Sequence, residues 1–409
     1  MQWLYQFVFH YPLFMAFCQI AGALVYVWFR GRDPVIVDLP STPLVSVLVP
    51  CHNEERGIRE TIEHLLERQA YPNFEIIAVD DASTDRTLEV LRQLQAQTPR
   101  LRIVAMTTNQ GKGMGLTMAA MTARGEYLVC VDADTLLDEH AIEYMMWHFL
   151  KFPRVGAVTG NPRVRNRTSI IGKIQVGEYS AIVGMIKRTQ RVTGKIFTIS
   201  GVICAFRKKA LQSVGFWSND MCTEDIDVSW KLNLGFWDIR YEPMALCWIL
   251  MPETLKGLWR QRLRWARGGS EVLKKYSRRM FSWTQRRMWP VYIEYGMSVF
   301  WAYCMAMTVL VFLLGLVVPL PENVVVHSLI PGWTGSILAA SCLLQTLVGL
   351  IIDSRFEPRL YRMFFWLIWN PFVYWMLNAA VTLVGFPMAM MRKPGRPAVW
   401  ESPDRGVTT

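Results

Sequence analysis

Three carboxylates fall within four positions, Glu224 to Asp227, in the stretch Met221-Cys222-Thr223-Glu224-Asp225-Ile226-Asp227-Val228-Ser229-Trp230. Acids packed that closely repel one another, and apolar flanks make each charge costlier still. The combination suits a general base or a cation holder. It also suits an ordinary helix N-terminus, with Thr223 as cap and acids in the first turn, and one helix can satisfy both. Asp132-Ala133-Asp134 places two carboxylates at i and i+2 behind an apolar strand. Such a pair can share a hard cation, Mg²⁺ or Mn²⁺, with phosphate oxygens and water completing the shell. Asp80-Asp81 supplies acceptors for a base or ribose, or simply a turn in which Ser83 or Thr84 caps the next helix. Gly111-Lys112-Gly113 can bring backbone amides and one ammonium to a phosphate, without the spacing of a Walker A loop. Gln261 and Arg264 lie at i and i+3 on one helical face. Arg264 suits a diphosphate, and Trp265 offers a flat plate for a sugar or an anchor at a membrane surface.

The elements that must position these groups are legible in the first half of the chain. Residues 44–50, 74–80, 101–105 and 127–131 read as buried strands, with helices over 54–70, after 84–87, and over 115–124. Alternation of this kind predicts an α/β fold with a doubly wound, mostly parallel sheet, whose ligands sit at the carboxyl ends of the strands. Each strand ends in suitable residues: Asn53-Glu54, Asp80-Asp81, Asn109 to Lys112, and Asp132 to Asp134. The second half is less regular, with a helix over 173–189 and a strand over 202–206. Residues 255–265 alternate bulky apolar residues with cations at helical spacing, the pattern of a helix lying in a headgroup layer.

The chain has 409 residues, 52% of them hydrophobic, with 17 Trp and a net charge of +11. Long apolar runs at 8–29, 291–319, 336–352 and 363–391 are spans by length, so an integral membrane protein with a large soluble middle is expected. The N-terminal run ends in Arg30-Gly31-Arg32, which places that flank and the soluble middle in the cytoplasm. The positive charge gathers beside the apolar runs and points to an anionic membrane surface rather than nucleic acid. Eight scattered cysteines without a CxxC pair, and six unclustered histidines, fit reduced thiols and no zinc site. The expected organisation is an N-terminal transmembrane helix over 1–33, a cytoplasmic catalytic domain over 34–254, amphipathic interface helices over 255–290, C-terminal transmembrane helices over 291–391, and a short tail over 392–409. The run 363–391 is awkward. It would measure roughly 43 Å as a straight helix, Asn370-Pro371 breaks it, and both flanks are basic (Arg355, Arg359 and Arg362; Arg392, Lys393 and Arg396). Those flanks predict a kinked or re-entrant segment.

The order of motifs is more specific than any one of them. Pro50-Cys51-His52-Asn53-Glu54, Asp80-Asp81, Asp132-x-Asp134, Thr223-Glu224-Asp225 and Gln261-x-x-Arg264-Trp265 together resemble the processive family-2 membrane glycosyltransferases, which build cellulose, chitin, hyaluronan and poly-N-acetylglucosamine. The stretches Val155–Arg163, Gly172–Tyr179 and Cys247–Thr254 are most similar to the branch that makes poly-N-acetylglucosamine. The resemblance implies a glycosyltransferase fold of the GT-A type between transmembrane helices. It implies that Pro50, Asn53, Glu54 and Asp81 hold the uridine, Lys112 the phosphates, and Asp132 the nucleotide, with Asp134 and Asp132 on the metal. Asp225 would be the general base with Glu224 beside the acceptor, Gln261 and Arg264 would grip the diphosphate, and Trp265 would stack on the acceptor sugar. Ala82 stands where the family usually has Gly, and one N-terminal span where relatives often have two.

The expected activity is inverting, processive transfer of N-acetylglucosamine from UDP-N-acetylglucosamine to the 6-hydroxyl of a growing β-1,6-linked chain at the bacterial inner membrane, with export into a biofilm matrix. The resemblance also implies a small membrane partner subunit with cyclic di-GMP at the interface. The alternatives are synthesis of another polymer of the chitin, hyaluronan or cellulose type, or a non-catalytic scaffold that binds nucleotide sugar. Transfer to a lipid phosphate is a third, disfavoured by Gln261-x-x-Arg264-Trp265.

Overall fold

The computed structural model describes residues 2–30, 38–322, 324–329, 332–358, 360–367, 370–393 and 395. Gly31 and Arg32, most of the expected linker, Arg359, and nearly all of the tail including Arg396 lie outside the described residues. The chain divides into two compact units. One comprises 1–32, 173–193 and 258–391; the other comprises 33–172, 194–257 and 392–409. The segment 173–193, inside the range expected for the catalytic domain, belongs to the first.

The second unit is built on one eight-stranded mixed sheet. Its strands are β1 (Val45–Cys51), β2 (Phe74–Asp80), β3 (Leu101–Ala105), β4 (Tyr127–Val131), β5 (Leu136–Leu137), β6 (Val155–Val164), β7 (Ile203–Arg207) and β8 (Asp238–Ile249), in the order β3-β2-β1-β4-β7-β6-β8-β5. The expected doubly wound half is present: β3, β2, β1 and β4 are all parallel. Every residue of β1, β2 and β4 is buried, as uninterrupted apolar strands covered on both faces require. Beyond β4 the sheet turns mixed. β7 runs antiparallel to both β4 and β6, β6 and β8 pair in parallel, and β5 closes the edge antiparallel to β8.

The two longest strands, β6 and β8, lie outside the strands read from the sequence, although Asp238 to Glu242 alternate polar and apolar residues. β6 contains Asn161-Pro162-Arg163, β8 contains Pro243, and their pairing shifts register twice, between Val155 and Ala157 and between Thr159 and Asn161. Bulges of that kind break the two-residue period from which strands are read. Two helix-start expectations also change. Thr87 opens the helix Thr87–Gln95, and neither Ser83 nor Thr84 caps it. Instead the carboxylate of Asp85 takes the Thr87 amide at 2.9 Å and its hydroxyl at 2.5 Å. The helix expected from 115 starts earlier, as Lys112–Thr122.

The first unit holds the apolar helices. Trp3–Phe29, Trp283–Gly315 and Thr334–Asp353 are long and apolar enough to cross a membrane. Phe17, Leu310 and Leu344 are exposed on them, as lipid-facing side chains would be. Among the described residues of the fourth run are a 3₁₀ turn Leu360–Met363 and helical residues Phe364–Leu367 and Asn370–Met391. The helix expected over 173–189 is interrupted: Ile170–Gly177 leads into a π-helical turn, Glu178–Val183, and then into Gly184–Thr193. Its polar residues are buried in cross-helix pairs. Arg188 meets Asp353 at 2.6 Å with both side chains at most 1% exposed, and removing one partner of such a pair costs about 3–5 kcal/mol.

Ala82 has a φ of +54°, in the left-handed region where a Cβ costs about 1–2 kcal/mol. A glycine there would match the backbone without that cost. Ala82→Gly is expected to leave the thermal unfolding midpoint of the purified chain unchanged or slightly raised, relief of strain offsetting the greater freedom of the unfolded chain. Ala82→Val is expected to lower it, by about 2 kcal/mol in stability, because a branched side chain tolerates positive φ least.

Candidate active site

β1 lies between β2 and β4, so the chain reverses its winding there, and the carboxyl edge of these strands is where a parallel sheet opens a crevice. Three pieces of sequence meet at that edge. Beyond β1, Asn53 adopts a φ of +58° and its side-chain oxygen accepts the Thr84 amide at 2.8 Å. The Glu54 amide donates to the Thr87 hydroxyl at 2.7 Å. Beyond β2, Asp81 is fully buried, and its two carboxylate oxygens accept the amides of Gln110 and Gly111, each at 2.8 Å. His52 fastens the same corner, its Nδ1 2.8 Å from the Asp81 carbonyl. Pro50 sits inside β1. These contacts tie the β1, β2 and 109–111 loops together, and Gly111, at φ +88°, turns the chain directly into the helix that begins with Lys112.

Beyond β4, the Asp132-Ala133-Asp134 turn is fixed by its backbone. The Thr61 hydroxyl donates to the Ala133 carbonyl at 2.9 Å, and the Thr135 amide to the Asp132 carbonyl at 3.0 Å. The Lys112 ammonium lies 2.5 Å from Asp132 Oδ1 and 3.4 Å from Glu224 Oε1, and donates to the Gly201 carbonyl at 3.3 Å. Burial works against that charge, but Asp132, Glu224 and Asp225 outweigh it, so the lysine pKa is raised above its ordinary value. Asp134 moves the other way in chemical sense. Burial, then the neighbouring Asp132 charge, pushes its carboxyl up to about 7.

The acidic stretch forms the helix Glu224–Leu234, with Thr223 at the N-cap position in extended conformation (φ −132°). The expected Thr223 cap is not made: its buried hydroxyl has no hydrogen-bond partner among the described residues. Asp225 serves locally instead, accepting the Ile226 amide at 2.9 Å. Helix geometry sends the three acids to different neighbours. Glu224 faces Lys112. Asp227, fully buried, accepts the Ser218 hydroxyl at 2.6 Å and lies 3.8 Å from Lys231; it is structural. Asp225 is half-buried against Gly201, where a methyl group would meet its Oδ2 at 3.1 Å. The loop carrying Gly201 is pinned by Ile199 to the Ser229 hydroxyl and by Ser200 to the Thr159 hydroxyl, both at 2.9 Å. Gly201 is a site residue the sequence reading missed, since a glycine in a loop carries no signal of what approaches it.

Gln261, Arg264 and Trp265 lie in the other unit, on the helix Leu255–Met280. Gln261 and Trp265 are half-buried and Arg264 is exposed. The structure thus gathers Asn53, Glu54, Asp81, Lys112, Asp132, Asp134, Glu224 and Asp225 around one sheet edge, and groups the other three on one helix. The sequence reading gave no role to Arg262, whose guanidinium sits 4.1 Å over the Trp265 ring and donates to Gln261 Oε1 at 3.2 Å.

Paired carboxylates, a half-buried ammonium and a half-buried aspartate converge at a parallel sheet edge, a set of groups suited to group transfer from a phosphorylated donor. The chain belongs to the family described as glycosyltransferase like family 2, whose model matches residues 42–268. A poly-β-1,6-N-acetyl-D-glucosamine synthase of Staphylococcus epidermidis is 39% identical over 98% of each chain. The enzyme of the same name from Staphylococcus aureus strain COL is 40% identical over 99% of each. Among solved structures, a mannosyltransferase from Pyrobaculum calidifontis, determined with GDP-mannose and Mn²⁺, superposes with a TM-score of 0.61 over 95% of this chain and 99% of its own at 20% identity, which establishes a shared fold.

Asp132 and Asp134 fit a hard divalent cation in donor type and in excess negative charge. No three His, Cys, Asp or Glu side chains among the described residues could hold a metal by themselves, so the rest of the shell would be donor phosphate and water. The folded-state pKa of Asp134, about 7, exceeds the ordinary ~3.9. Its ionisation therefore weighs against the folded metal-free chain as pH rises, and a cation must compete with its proton below about 7. Mn²⁺ binding measured by calorimetry is expected to be about tenfold weaker at pH 6 than at pH 8, and Asp134→Asn should flatten that dependence.

Proposed function

We propose that this chain is a membrane N-acetylglucosaminyltransferase that extends poly-β-1,6-N-acetylglucosamine from UDP-N-acetylglucosamine at the bacterial inner membrane, its catalytic unit in the cytoplasm. The near-full-length likeness to two synthases of that polymer supports the product. The observation that carries the chemistry is the separation of the acids on the Glu224–Leu234 helix. Asp225 alone is left half-buried beside a glycine, while Glu224 faces Lys112 and Asp227 is tied into the core.

In this reading Asp225 accepts the proton of the acceptor 6-hydroxyl as that oxygen attacks the anomeric carbon. The donor is an α-glycoside and the product a β-glycoside, so a single displacement inverts the centre. Lys112 and the Arg264 guanidinium hold the diphosphate, with Gln261 hydrogen-bonding to it. Asn53, Glu54 and Asp81 frame the uridine, Glu224 lies beside the acceptor, and Trp265 stacks on the acceptor sugar. A divalent cation, Mg²⁺ or Mn²⁺, on Asp134 and Asp132 supplies charge compensation for the UDP leaving group.

Asp225→Asn keeps the shape and removes the basicity. Polymer formed from labelled UDP-N-acetylglucosamine by the purified chain should fall by about 10²–10⁴-fold, with UDP affinity within about twofold of the parent. A variant that retains most of its turnover would show the base to be misassigned. Linkage analysis of the parent product separates β-1,6 polymer from chitin or hyaluronan.

The proposal includes a small membrane partner and control by cyclic di-GMP at the interface, with export of the product into a biofilm matrix. The basic residues on either side of 363–391 support the partner: one crossing leaves one basic flank on the disfavoured side. Polymer yield should rise when the chain is co-expressed with its partner and supplied with the dinucleotide. Equal yield from the chain alone would rule the dependence out.

A further inference from the structure

Glu178 and Arg262 have no place in the reaction as described, yet both are charged and almost wholly buried. Their side chains are 7% and 2% exposed, and Arg262 Nη2 lies 2.5 Å from Glu178 Oε2. Glu178 is the first residue of the π-helical turn Glu178–Val183, a distortion found disproportionately at functional sites. The segment bearing that turn is braced elsewhere by Arg188 on Asp353 and Gln190 on Glu294, which makes it a fixed platform.

Arg262 reaches two motif residues from that platform. Nη1 donates to Gln261 Oε1 at 3.2 Å, and Cζ stands 4.1 Å over the Trp265 ring. The chemistry of the first contact fixes an orientation. A guanidinium has five donors and no acceptor, so Gln261 must turn its carbonyl oxygen inward. Its two N–H donors are then the end not engaged by Arg262, the end suited to a phosphate oxygen. The second contact holds one face of the indole against a planar cation, which leaves the opposite face as a platform for a sugar. Glu178 neutralises the buried guanidinium and sets its plane.

We infer that Glu178 and Arg262 are positioning residues: the buried pair orients the Gln261 amide and fixes the plane of Trp265 for transfer to the acceptor. This rests on the reading of Trp265 as the acceptor plate. A pair that merely held helices together would need neither contact with the motif.

The test uses the full chain, purified with its native spans, UDP-N-acetylglucosamine, and a β-1,6-linked N-acetylglucosamine oligosaccharide as acceptor. Arg262→Lys keeps the charge opposite Glu178 but loses the flat cation and the second donor. The exchange E178R/R262E keeps a buried pair and removes the cation from Trp265. Thermal unfolding reports whether each folds. Folded protein of either variant is expected to show an acceptor KM raised about tenfold and a UDP-N-acetylglucosamine KM raised with it, as the Gln261 amide loses its orientation, with kcat within about threefold of the parent. A folded variant with acceptor KM within twofold of the parent would overturn the inference. So would loss of both variants to misfolding, provided Arg262→Met, which fills the space without charge, folds and binds acceptor like the parent. Trp265→Ala is the control for the underlying reading: if it elongates as the parent does, the acceptor plate is misassigned and this inference falls with it. If Trp265→Ala loses elongation while Arg262→Lys does not, only the inference fails.

Discussion

The Lys112 ammonium, held half-buried among carboxylates, is the contact on which the sheet-edge site depends. It touches Asp132 at the end of β4 and Glu224 at the start of a helix more than ninety residues later. Without a cation there, the two acids would repel across a partly desolvated gap. With it, the strand-end aspartates and the acidic helix are drawn to one point. The lysine is itself held by a precise chain reversal: Gly111 at positive φ, anchored through its amide to Asp81, starts the helix at Lys112. A change at Asp81 is therefore expected to be felt at Asp132 and Glu224 through the backbone, by a route that involves no ligand.

The same stretch shows why charge count is a poor guide to role. Glu224, Asp225 and Asp227 are near-equivalent in sequence. Helical rotation gives one to an ammonium, leaves one half-buried against Gly201, and gives one to a serine and a lysine in the core. Each of the acids flanking Asp225 has a lysine close by, Lys112 for Glu224 and Lys231 for Asp227.

The apolar unit follows a different constraint. Charges removed from water must find partners, and the 170–193 segment meets that demand with Glu178 on Arg262, Arg188 on Asp353, and Gln190 on Glu294. Two of these are ion pairs and the third is a hydrogen bond from the Gln190 amide, and each ties the segment to a different helix. The π turn at Glu178 is where the backbone yields to that requirement.

The sequence by itself determined the parallel half of the sheet, the strand-end position of Asn53, Glu54, Asp81, Asp132 and Asp134, and the start of a helix at the acidic stretch. Each of these follows from local periodicity or from composition within a few residues. Motif order supplied the family, and apolar length supplied three of the helices long enough to cross a membrane. Tertiary structure alone decided the rest. β6 and β8 pair through bulges and internal prolines, so their strand character comes from partners some eighty residues apart. Thr223 sits at the cap position, yet its hydroxyl is turned away from the role its type predicts. Which acid meets Lys112 and which glycine lies against Asp225 both depend on contacts between distant segments, and a charge or a glycine carries no local mark of the neighbour that will reach it.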